Sequence, residues 1–222
     1  MEMQKNSDCW YSETCTDSVS CNACTTYTQL KWQMEHSGLP EYQQKPIELY
    51  IQESNTIDRN SYIRLSEIRK DIVEFVENHK NLYLCSEYTG NGKTSWAIKM
   101  LHTYLHYTAQ DNYENLQGMF VSVADLLLKL KDFNNPLSKS YKENLEDVPL
   151  IVWDDIALIT ISQYDYSQLY TILNNRIFSG KSNIFTSNCV TQEQLFKLVG
   201  DKLASRIWNT SEIIELKGRD IR

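Results

Sequence analysis

From about residue 62 onward, short apolar runs alternate with helix-patterned segments, and this alternation restricts the fold more than any single motif. The runs fall at 82–85, 119–123, 150–153, 183–186 and 213–216. Each is too short for a helix, and those at 82–85 and 150–153 are too uniformly apolar for a strand with one wet face. Between them apolar residues recur at helical spacing, as in Trp96, Ala97, Met100, Leu101 and Tyr104, and again in Leu169, Ile172, Leu173 and Ile177. Ahead of the first run, Ile68, Ile72, Phe75 and Val76 predict a helix capped by Ser66 and reaching about Asn78. Ser122 with Asp125, and Thr191 with Gln194, have the spacing of capping boxes at two further helix starts. Buried-type strands separated by helices predict an α/β domain, its five-stranded sheet largely parallel and flanked by helices.

The first run leads into CSEYTGNGKTSW at 85–96. Backbone N–H groups of a glycine-rich turn, with the helix N-terminus that follows, can surround a phosphate with donors and a favourable dipole. Thr89, Gly90, Asn91, Gly92, Lys93, Thr94 and Ser95 are therefore the candidate nucleotide-binding residues, with Lys93 reaching the β and γ phosphates and the Thr94 hydroxyl holding Mg²⁺. The pattern G-x-x-x-x-G-K-[ST] fails at its first position, where Glu87 stands, so the stretch alone is equally an ordinary strand-to-helix turn. The run at 150–153 ends in Asp154 and Asp155. Adjacent acids in isolation are more often a solvated turn; after a phosphate-loop strand they read as a Mg²⁺ ligand (Asp154) and a group directing the attacking water (Asp155). Asn188, at the end of IFTSN, would reach the γ phosphate or that water if its strand lies beside the loop strand.

The first forty residues have a different character. Cys9, Cys15, Cys21 and Cys24 match the ligand set of a structural Zn²⁺ site, with His36 as a substitute ligand and free thiols as the alternative. Cys85 and Cys189 stand in apolar surroundings and read as core residues. So small a module has too little core to fold without its metal. Its acidic flanks, Glu2, Asp8, Glu13 and Asp17 against Lys5, favour protein docking over DNA binding. The expected organisation is a zinc-binding domain at 1–40, a polar linker at 41–61 and the α/β domain at 62–222. The N-terminus lacks a signal-peptide core and no stretch of the chain is apolar enough to span a membrane, so a cytoplasmic protein is expected. A net charge of −7 excludes a general basic coat, leaving local DNA contacts such as Lys129 and Lys131, which read equally as a solvated helix face.

TGNGKT, LIVWDD, FTSN and SRIWNTSEIIELKGRDIR, in this order from Ser66 to Arg222, resemble the AAA+ ATPases of the DnaC/DnaI-type replicative helicase loaders of bacteria and phages, and the related IstB-type transposition helpers. The resemblance implies an AAA+ P-loop core that binds ATP and Mg²⁺ and self-assembles. In it Arg206 would act as an arginine finger on a neighbouring subunit's nucleotide, and Arg222 as a sensor of its own. It further implies a hexameric replicative helicase and single-stranded DNA as partners, with the N-terminal module docking on the helicase. A transposition helper acting on double-stranded DNA and a non-catalytic nucleotide-dependent adaptor are the alternatives, and the four cysteines favour the loader.

Overall fold

The computed structural model describes residues 15, 24–45, 49, 57–109, 115–129, 136–157 and 162–218, with the backbone alone at 136–140. Five parallel strands form its centre: β1 (Asn81–Cys85), β2 (Gly118–Ser122), β3 (Leu150–Asp154), β4 (Ser182–Ser187) and β5 (Ser211–Glu215). They lie in the order β2-β3-β4-β1-β5. Every neighbouring pair is parallel, with Cys85 level with Ser187 on one side and Glu215 on the other. The C-terminal ends of β1, β3 and β4 therefore open on one edge of the sheet, where crossover connections leave a crevice.

The pleat sorts the strand side chains into two cores. Leu82, Leu84, Val152, Ile184 and Ile214 face one layer of helices, α1 (Thr25–His36), α2 (Arg59–Lys70), α3 (Ile72–Glu77) and α4 (Lys93–Thr108). Tyr83, Cys85, Met119, Val121, Ile151, Trp153 and Phe185 face the other, formed by α5 (Val123–Lys129), α6 (Pro136–Asp147), α7 (Gln163–Phe178), α8 (Gln192–Val199) and α9 (Asp201–Thr210). The three strands β1, β2 and β3 are mainly apolar because both of their faces are covered, whereas β4 also buries Ser182, Asn183, Thr186 and Ser187. The expected parallel α/β sheet is thus present, and Cys85 and Cys189 are core residues.

Three local expectations change. The helix assigned to Ser66–Asn78 starts at Arg59 and is interrupted at Asp71, whose φ of −105° and ψ of 31° separate α2 from α3. Ser66 sits inside α2, whose preceding residue, Asp58, gives its carboxylate to the backbone N–H groups of Lys217 and Gly218 at 2.6 and 2.7 Å. The polar stretch 41–61 contains a 3₁₀ turn at Glu41–Gln43 and the first residues of α2. Finally, α1 packs in the main core rather than apart from it: Leu30, Met34 and Leu39 are buried there, and the Ser37 carbonyl accepts from Phe120 N–H at 2.7 Å. The boundary expected at residue 40 therefore follows a helix already joined to the sheet domain.

The Thr191–Gln194 capping box forms in full, whereas Ser122 shows only the Asp125 N–H half of its pair, at 3.4 Å. Among the described residues no helix is long and apolar enough to cross a membrane.

Candidate active site

β1 delivers the chain into the turn 86–92, and α4 begins at Lys93. Gly90 and Gly92 have φ of 77° and 96°. A Cβ at Gly92 would meet only Trp96 Cδ1 at 3.9 Å, so it is the left-handed backbone that demands glycine there, not lack of room. Glu87 is exposed and is not among the residues of positive φ. The loop's first position therefore does not require glycine in this chain, and Glu87 leaves the turn intact. Asn91 is buried, and its side-chain amide donates to Ser86 Oγ and to the Leu216 and Gly218 carbonyls, the latter two at 3.2 and 3.5 Å. This ties the loop to the segment that leaves β5.

Lys93 is only 6% exposed and donates to the Tyr88 carbonyl at 2.8 Å and to Asn91 Oδ1 at 3.4 Å. Burial pulls its pKa below the ordinary lysine range, against the opposing pull of Asp155 and other nearby acidic groups. Across the sheet, Asp154 Oδ1 accepts from Thr94 Oγ1 and from Thr186 Oγ1, both at 2.7 Å. Thr186 Oγ1 also accepts from Asp155 N–H at 2.9 Å, and the Thr186 carbonyl accepts from Ile156 N–H at 3.0 Å. The first turn of α4, the acidic strand β3 and β4 are thereby joined through three hydroxyl and carboxylate groups. Asp155 has φ of 55°, in the left-handed region that aspartate tolerates better than most residues. Burial and then the neighbouring Asp154 raise its pKa, while Lys93 opposes them.

A cleft of ≈ 460 Å³ opens here, lined by residues 89–95, Asp155, Asn188 and Gln43. Asn188 thus reaches the same crevice as the loop, as expected if β4 adjoins β1. The residues fit a magnesium nucleotide: a turn of N–H donors with a buried lysine, and a Thr94–Asp154 oxygen pair of the hard-donor kind Mg²⁺ takes. Sequence reasoning missed Thr186, Gln43 and the Asp58 clamp. A threonine directly after the apolar pair Ile184–Phe185 was a signal for the first; nothing local marked the other two.

Arg206 lies on α9, away from the residues lining this cleft, with its guanidinium 5.0 Å from the Phe178 ring centroid. Arg222, Lys131, Cys9 and Cys21 lie outside the described residues. Cys15 and Cys24 are of intermediate exposure, and among the described residues no group of three or more metal-ligating side chains comes together. Lys129 Nζ lies 4.7 Å from the Tyr141 ring centroid.

A phosphate loop on β1, an acid at the end of β3 and the strand order β2-β3-β4-β1-β5 define an AAA+ P-loop ATPase. The chain belongs to the family described as IstB-like ATP binding protein, which matches residues 28–222. Among solved structures it is similar to the DnaC helicase loader, at 19% identity over 75% of this chain and 94% of that one, with a TM-score of 0.60. It is also similar to DnaI, at 23% identity over 86% and 93% of the two chains with a TM-score of 0.56. AMPPCP-bound DnaA from Aquifex aeolicus aligns at 16% identity and a TM-score of 0.56, over 76% of this chain but 48% of that one. No curated protein matches the sequence.

Proposed function

We propose that this ATPase loads the hexameric replicative DNA helicase onto single-stranded DNA in replication initiation, in the bacterial or phage cytoplasm. The observation that carries the reading is coverage: the likeness takes in nearly all of the DnaC and DnaI chains but about half of DnaA. In this reading ATP with Mg²⁺, when bound, supplies the phosphoanhydride whose hydrolysis ends the loading cycle. Residues 89–95 hold the phosphates, with the Lys93 ammonium against the β and γ oxygens. Thr94 and Asp154 hold the metal. Asp155 orients the attacking water and Asn188 senses the γ phosphate. Arg206 stabilises charge on a neighbouring copy's nucleotide, and Arg222 acts on its own. Cys9, Cys15, Cys21 and Cys24 bind Zn²⁺ and fold the segment that docks on the helicase. Single-stranded DNA runs past the assembled core near Lys129 and Lys131.

The match to an IstB-like family supports a second reading, the one the sequence resemblance also implied: a transposition helper that coats double-stranded DNA. Native mass spectrometry of the full chain separates the two. A zinc-bearing chain that joins the helicase hexamer with ATP and Mg²⁺ supports the loader. Failure to join it, with ATP-dependent coating of duplex DNA instead, overturns the loader in favour of the helper. If helicase and single-stranded DNA elicit a complex but no turnover, the chain is a nucleotide-dependent adaptor.

A further inference from the structure

Half-buried Arg206 is paired with an exposed ring, Phe178, to which no role has been assigned so far. Phe178, the last residue of α7, is 71% exposed, and its ring faces the Arg206 guanidinium at 5.0 Å. Burying an aromatic ring is worth far more than leaving it in water, so the fold gains little from a phenylalanine here. Among the described residues no carboxylate pairs with Arg206, and its guanidinium makes no hydrogen bond; the ring is the polar head's specific partner. A guanidinium stacked on a ring is attracted through its face, which leaves the N–H donors around its edge available to an anion. Arg206 does not line its own chain's cleft, so that anion belongs to another molecule.

We infer that Phe178 is a positioning residue: its ring holds the Arg206 guanidinium at one orientation, donors outward, for the nucleotide phosphates of a second copy of this chain. The inference rests on the reading of Arg206 as acting in trans. An arginine side chain loses rotamer freedom when it engages a phosphate, and a ring that restricts it beforehand reduces that loss. The pair is an interaction surface whose aromatic and arginine composition suits the centre of a protein–protein contact.

The test measures turnover per chain against protein concentration at saturating Mg-ATP, with the KM for ATP and the thermal midpoint of each variant. The wild-type rate rises with concentration and Arg206→Ala removes the rise. Phe178→Leu lowers the plateau kcat by roughly two- to five-fold, the size expected of an exposed cation–π contact, with KM and midpoint unchanged. Phe178→Tyr, which keeps the ring face, restores the rate. If Arg206→Ala abolishes the rise while Phe178→Leu matches wild type, or Phe178→Tyr fails alongside it, the positioning role is refuted and the trans reading stands. If the wild-type rate is independent of concentration, or Arg206→Ala rises as wild type does, the trans reading falls and the inference with it.

Discussion

Asp155 combines a left-handed backbone, a raised pKa and a neighbouring carboxylate, each unfavourable to the unliganded fold. Because its folded pKa lies above the unfolded one, the native state keeps a proton that the unfolded chain has released. Stability therefore falls as pH rises through the window between the ordinary carboxylate value and the raised one, and remains lowered above it. Asp155→Asn removes the charge while keeping a side chain that accepts positive φ. It should unfold at a higher temperature than wild type at pH 8, with the advantage shrinking to nothing as pH drops below about 4; equal midpoints at pH 8 would count against a strained catalytic acid. The same variant should still bind nucleotide yet lose turnover by about a hundredfold or more, the usual size of a lost proton-handling group. Lys93→Ala should instead abolish detectable nucleotide binding in a direct titration, since Lys93 is the buried cation of the cleft.

At the scale of elements, the sheet is pinned by a polar network at the end away from the cleft. Asn183 Oδ1 accepts from Trp153 Nε1 and Arg176 Nε, both at 2.9 Å, while its amide nitrogen donates to Asn81 Oδ1 at 2.8 Å and to the Lys181 carbonyl at 2.9 Å. Arg176 is fully buried, yet its remaining donors find the Leu145, Val148 and Ser182 carbonyls. Burial pulls its pKa down to about 9, and these oxygens satisfy the charge that persists at neutral pH. Asn183→Ala would leave Trp153 Nε1 and Arg176 Nε without their shared acceptor, while Asn81 Oδ1 keeps the backbone N–H of residue 183. Stranding buried polar groups costs about 1–3 kcal/mol each, so a loss of about 2 kcal/mol or more is expected in urea unfolding, and a loss under about 1 kcal/mol would show that water replaces the amide. The strands were legible in the sequence because fully covered strands are apolar on both faces, and the capping box at Thr191 because its partner is three residues away. The Asn183 network was not, since its members are brought together only by the register of three strands. The start of α2 was hidden for a similar reason: Asp58 is satisfied by residues at the far end of the chain, and no local pattern announces that.

Considered as a whole molecule, the candidate nucleotide cleft was partly legible because the loop, Asp155 and Asn188, which line it, and Asp154 beside it each carry recognisable chemistry. The contribution of Gln43 comes from a polar segment whose path depends on the fold. α1 likewise shows little amphipathic pattern, yet Leu30, Met34 and the following Leu39 are buried in the main core. Burial of three such side chains contributes on the order of 5 kcal/mol or more, comparable with the whole net stability of a domain. A chain beginning at residue 41 should therefore show no cooperative thermal transition or a greatly lowered one, and an unchanged midpoint would mean that α1 is dispensable. The sheet order bears on synthesis as well. β1 carries the phosphate loop, but its two neighbours, β4 and β5, are the last of these five strands to leave the ribosome. At roughly 5–20 residues per second, the loop waits on the order of ten seconds for the strands that will hold it. A nascent chain thus cannot grip ATP or recruit another copy until all five strands have emerged, so the order of the sheet delays the protein's first assembly until its most distant strand has been made.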